Sequence, residues 1–170
     1  YDDLIDHPFV QLPNLARVVK VGASFQRMFT SAPLCSPSRA GLMTGRSQSR
    51  FGHEINWEGN APSGEKGLPV TEKTFPQLLK TGGYHTGVIG KWHLGNVDKF
   101  HPLSRGFDEF YGTVANTSFF NPPSFVDSRK SADVHKVMDD DFYTTDAYAE
   151  RAVDWLDKHN RYSSLEALEV

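Results

Sequence analysis

The chain has 170 residues, 38% apolar and 23% charged, with twelve Phe and a formal net charge of −3; this composition fits a globular chain able to bury one core and excludes fibrous and disordered classes. The slight acidic excess argues against a broad nucleic-acid surface, which needs clustered Lys and Arg. A single Cys rules out an intrachain disulfide and any Cys-rich zinc site, and no stretch approaches the roughly 18 apolar residues of a spanning helix.

Along the chain, Leu15, Val18 and Val19 at helical spacing, with Pro13 before them and Gly22 after, predict a short helix over 14–21. Ala23 to Phe29 is aromatic and apolar without helix caps, which suits a strand running toward Cys35. A second helix is expected to start at Ser36, with Pro37 in its first turn, and to stop at Gly45, because Ser caps, Pro tolerates the first turn and Gly terminates. Phe51 to Leu68, rich in Gly, Asn, Glu and Pro, reads as a long surface excursion.

With Thr71 or Thr74 as cap, Phe75, Leu78 and Leu79 form the apolar face of a helix that Gly82-Gly83 ends. Tyr84 to Ile89 reads as a strand feeding Gly90-Lys91-Trp92-His93, and Phe100 to Pro123 as loop around a compact Arg105-Gly106-Phe107-Asp108 turn. The last element is a helix over 145–159 with Ala149, Ala152, Val153 and Leu156 on one face. Helices alternating with short strands predict an α/β fold, a mainly parallel sheet flanked by helices.

Two groups carry chemistry. Cys35 precedes a helix N-terminus, where free amides and the macrodipole favour an anion, and Arg39 one turn on can aim at the same point. A buried structural Cys beside a surface Arg is the plain alternative. Lys91 and His93, two apart at a strand end, are expected to leave one face while Trp92 and Leu94 pack on the other. Gly90 and Gly95 flank them and permit close approach of a backbone or ligand. Gly83 to Lys91 is not a phosphate-binding loop, since six residues rather than four lie between Gly83 and Gly90 and Trp92 follows the Lys.

Cys35-Ser36-Pro37-Ser38-Arg39, continuing through Ala40-Gly41-Leu42-Met43-Thr44-Gly45-Arg46, resembles the first signature of the formylglycine-dependent sulfatases. Gly83-Tyr84-His85-Thr86 with Gly90-Lys91-Trp92-His93-Leu94-Gly95 resembles the second, and Pro13-Asn14-Leu15 and Arg105-Gly106-Phe107-Asp108 support the match. The resemblance implies an alkaline-phosphatase-like N-terminal domain, incomplete in residues 1–170. It implies that a maturation enzyme reading Cys35, Pro37 and Arg39 oxidises Cys35 to formylglycine, whose gem-diol attacks the sulfur of a sulfate ester on a sugar or aryl group. Arg39 would then hold the formylglycine and its surroundings, Lys91 would neutralise sulfate oxygens, and His93 would bond the diol and assist elimination.

The family also implies a calcium ion bound by oxygen ligands, with formylglycine 35 among them and Asp2-Asp3 as the nearest match to its first acidic pair. The spacing from Asp2 and Asp3 to Pro13-Asn14-Leu15 is short for that pair, and the family's downstream Asp-Asn pair, leaving-group His and second Lys are expected beyond Val170. A periplasmic, secreted or lysosomal location and an inactive isolated fragment follow as expectations. His53 is a candidate for the substrate mouth or an exposed loop residue, His101 and Arg105 for substrate contact or for holding a turn, and Asp139-Asp140-Asp141 looks like a metal motif but reads rather as a solvated helix start. A phosphonate or phosphodiester hydrolase of the same superfamily and a non-catalytic sulfatase-like remnant are the competing readings.

Overall fold

The computed structural model describes residues 9–25, 27–56, 66–137, 139 and 141–159. It divides into two compact units, Tyr1–Thr30 and Ser31–Val170. In the first, helix α1 spans Pro13–Val21, with Pro at its start, where the missing N–H is no loss, and the Gly22 amide closing it on the Val18 carbonyl at 2.8 Å. The strand expected over Ala23 to Phe29 is absent from the described residues, and Phe25, Met28 and Phe29 are exposed. Aromatic content makes a strand only where a neighbouring ladder takes up its amides.

The second unit holds helices α2 (Cys35–Thr44), α3 (Phe75–Thr81) and α4 (Thr144–His159), and strands β1 (Gly87–Lys91), β2 (Glu109–Thr113), β3 (Phe125–Asp127) and β4 (Ser131–His135). The strands lie in the order β1-β2-β3-β4. Only β1 and β2 run parallel; β2 with β3 and β3 with β4 are antiparallel. The α/β expectation holds, while the sheet is mixed, because the three-residue link from β3 to β4 permits only a hairpin.

Alternation along β2 separates two layers. Phe110 joins a core cluster with Ala40 and Met43 of α2, Leu68, Trp92, Leu94, Phe107, Val114 and Val126. Tyr111, on the opposite pleat, meets Tyr148 of α4 edge to face and carries the Arg151 guanidinium 4.0 Å above its ring. Gly90 and Gly112 are register partners across β1 and β2, and a Cβ on Gly112 would lie 1.8 Å from the Gly90 carbonyl oxygen. Glycine is required there by the closeness of the two backbones.

Two helices turn other faces inward than their apolar residues suggest. In α3, Phe75, Leu78 and Leu79 are exposed and Pro76 is buried. Its first turn is held by polar bonds: the Thr74 amide donates to Gln77 Oε1 at 2.9 Å and the Thr74 hydroxyl to the Arg105 carbonyl at 2.7 Å. In α4, Ala149, Val153 and Leu156 are exposed and Tyr148, Arg151 and Trp155 face the sheet. Arg151 reaches Asp127 Oδ2 at 2.7 Å, where that carboxylate is 3% exposed, so an ion pair rather than a leucine stripe seats the helix.

Candidate active site

The site is built at the N-terminus of α2 and the end of β1. α2 begins one residue earlier than expected, with Leu34 extended as its cap residue, and ends as expected at Gly45 in the left-handed conformation. Cys35 is thus the first helical residue, and it is exposed. Ser36 is not the cap. Its hydroxyl turns inward to His53 Nε2 at 2.7 Å, and its amide donates to Asn56 Oδ1 at 2.9 Å.

That arrangement changes the source of anion affinity. Of the amides that a helix start leaves without an intrahelical partner, that of Ser36 is taken by Asn56 and Pro37 has none. The helix end retains its dipole but no row of open amides, so a bound anion depends chiefly on side-chain cations.

Arg39 supplies one. Its Nη1 donates to the Lys91 carbonyl at 2.5 Å, which ties α2 to the end of β1 across 52 residues of sequence. Burial lowers its pKa, and the charge of Cys35 as thiolate opposes that shift, so the two groups share an electrostatic environment. Lys91 supplies the second cation, its Nζ bonded to Asn116 Oδ1.

His93 is 4% exposed and sits at φ 60°, a backbone region that costs a non-glycine residue about 1–3 kcal/mol. β1 stops at Lys91, so strand alternation does not set the direction of His93. Instead the Trp92 amide donates to the Thr113 carbonyl at 2.8 Å and the His93 amide to the Val114 carbonyl at 3.0 Å, and this pairing holds the turned backbone. Trp92 and Leu94 are buried as expected, with the Trp92 indole N–H on the Phe100 carbonyl at 2.9 Å.

The pKa of His93 is lowered to about 4, first by desolvation and then by the charges of Lys91, Arg39 and His53. The charges of Lys91, Arg39 and His53 thus all act on His93. The ring is neutral at pH 7, and its Nδ1 is buried without a hydrogen-bond partner among the described residues. His53, expected at a substrate mouth or on an exposed loop, is 1% exposed, and burial lowers its pKa despite a bond to the Gly67 backbone.

His101 and Arg105 hold structure. His101 Nδ1 accepts the Leu103 amide at 3.4 Å and its ring stands edge-on to Phe110. Arg105, 2% exposed, donates to the Glu72 carbonyl at 2.7 Å and the Pro69 carbonyl at 3.2 Å. Asp141 donates its amide to Asp139 Oδ1 at 3.0 Å in the turn before α4. Sequence reasoning missed Asn56 and Asn116; each acts on its partner from 20 or more residues away, with no local signal.

Asp2 and Asp3 lie outside the described residues. Among the described residues, the one group of three or more His, Cys, Asp and Glu able to hold a metal is His85, Glu109 and His159, without Cys35. Exposed Cys35 with the Arg39 cation does not by itself fit a calcium ion, which takes six or more oxygen ligands, typically about 6–8.

A family model described as Sulfatase matches residues 3–164. Human N-acetylgalactosamine-6-sulfatase is 43% identical over 111 residues, covering 62% of this chain and 21% of that protein. Human arylsulfatase G is 43% identical over 99 residues, covering 58% and 18%. The crystal structure of Ps i-CgsB in complex with k-i-k-neocarrahexaose aligns with a TM-score of 0.75 at 30% identity, over 89% of this chain and 37% of that one. The chain spans about a fifth of the length of the curated relatives it matches.

Proposed function

The chain belongs to the sulfatase family, and from that premise we propose that it carries the nucleophile half of a sulfate-ester hydrolase, with Cys35 as the residue oxidised to formylglycine. The observation behind this reading is a chain of links from α2 to the end of β1: the charge of exposed Cys35 acts on Arg39, Arg39 bonds the Lys91 carbonyl, and Arg39 and Lys91 both act on His93. Hydrated formylglycine supplies two oxygens on one carbon, one to attack sulfur and one whose proton loss releases sulfate. Arg39 and Lys91 neutralise the sulfate oxygens in a site whose cations are already placed. Neutral His93 offers the lone pair that accepts the proton, which an imidazolium lacks. His53 acts through Ser36 on the position of α2.

The proposed substrate is a sulfated sugar, following the name N-acetylgalactosamine-6-sulfatase of one relative and the k-i-k-neocarrahexaose in complex with another. The exposure of Cys35 suits a maturation enzyme as partner. The chain spans about a fifth of the length of its curated relatives, and in isolation it is proposed to be inactive. Coexpression with a formylglycine-generating enzyme and mass analysis of the peptide across Cys35 tests the assignment. The aldehyde is expected in place of the thiol, with no sulfate released from an aryl sulfate. An unmodified Cys35 overturns the nucleophile, and rapid sulfate release by these 170 residues overturns the inactivity.

A further inference from the structure

The parallel pair β1 and β2 has two ends. Lys91 closes β1 at one, its carbonyl bonded by Arg39. At the other end, His85 enters just before β1, Glu109 opens β2, and His159 is the last residue of α4. His85 Nε2 lies 3.4 Å and His159 Nε2 3.7 Å from Glu109 Oε1, and the imidazoles stack with centroids 4.5 Å apart. Each residue offers one ligand atom, and all three atoms lie within 4.8 Å of one another.

The outward atoms have their own partners. His159 Nδ1 bonds the Trp155 carbonyl at 2.7 Å, which leaves Nε2 with its lone pair toward Glu109. His85 Nδ1 is 3.6 Å from Asp108 Oδ2, a carboxylate behind an imidazole. Arg129 Nε takes Glu109 Oε2 at 2.6 Å and so turns Oε1 inward. Outer partners of this kind fix the tautomer and orientation of metal ligands.

We propose that His85, Glu109 and His159 bind one divalent transition-metal ion of the zinc class, clipping the end of α4 to the edge of the sheet. This site is separate from Cys35 and independent of its chemistry. Bond lengths near 2.0–2.1 Å in a tetrahedron place ligand atoms about 3.3 Å apart, close to the two nitrogen-to-oxygen separations found here. The imidazole planes, 19° apart, must open for both lone pairs to converge, and His85, with 46% of its side chain exposed, has room to turn. Two imidazoles and one carboxylate suit zinc and leave a position for water. Lys158 Nζ, 3.6 Å from Glu109 Oε1, opposes the cation and must swing away from its 56% exposed position.

Calorimetric titration of the 170-residue chain with zinc chloride tests this. One ion per chain is expected, with weaker binding by at least about a hundredfold in the His85→Asn and His159→Asn double variant, beyond the range that outer-shell changes alone produce. Lys158→Gln is expected to bind zinc more tightly, and Cys35→Ser to bind it unchanged. Circular dichroism checks the fold of the double variant; if it is lost, the Lys158→Gln titration carries the test. No zinc binding by the parent chain, equal binding by a folded double variant, or no gain in Lys158→Gln overturns the site. A loss in Cys35→Ser would place the ion at the other end of the sheet and equally overturn it.

Discussion

Replacing His93 by Gln should flatten the loss of stability on acidification. The folded ring takes its proton only near pH 4, against an ordinary 6.5, because burial and the charges of Lys91, Arg39 and His53 disfavour imidazolium. Between those values the unfolded chain binds more protons than the folded one, so stability rises with pH through the window and is complete above about 6.5. It is lost as pH falls toward 4. At about 1.4 kcal/mol per tenfold change in proton affinity, the depression corresponds to roughly 3 kcal/mol, counted in full because the ring is 4% exposed. His53 and His101 are shifted the same way and add to the wild-type slope, so the difference between the two proteins isolates His93. Gln at φ 60° keeps the backbone strain in both. Urea unfolding at closely spaced pH between about 4 and 7 gives the comparison. Parallel stability curves for wild type and variant would refute the argument that imidazolium is excluded from this site.

Gly112→Ala is expected to destabilise the protein by about 2–5 kcal/mol, the range of overpacking plus an unfavourable φ, since its Cβ would collide with the Gly90 carbonyl; thermal unfolding checks it, and a shift too small to measure means the strands can part. Ser36→Ala should cost about 1–3 kcal/mol by removing the buried hydroxyl that bonds His53 Nε2. The same variant should raise the pH at which His93 or His53 titrates by NMR only if the pair also tunes charge, so an unchanged titration with lost stability identifies a purely positioning bond.

The α/β class and both ends of the site were legible in the sequence because their signals are local. Gly45 ends α2, Gly22 ends α1, and the Gly90-to-Gly95 run brackets Lys91 and His93 within a few residues of chain. What could not be read were features decided by partners far along the chain. β2 was hidden in a loop-like stretch because its strand character depends on lying against β1, Gly against Gly. The inward faces of α3 and α4 were set by Thr74 on the Arg105 carbonyl and by Arg151 on Asp127, neither of which belongs to an apolar period.

The same reasoning separates what the sequence motif establishes from what the fold adds. A motif places a Cys before a helix, and the expected anion affinity then rests on free amides. In the folded chain Asn56 takes one first-turn amide and Pro37 lacks another, so the positive field at Cys35 leans on side-chain cations, Arg39 and, joined to it, Lys91. Those two are linked by a hydrogen bond from guanidinium to the carbonyl of the very residue carrying the second cation. Moving β1 relative to α2 would shift both charges together, along with the left-handed turn that carries His93. The site thus behaves as a unit fixed at the helix-to-strand junction, and the stability of that junction is a condition for its chemistry.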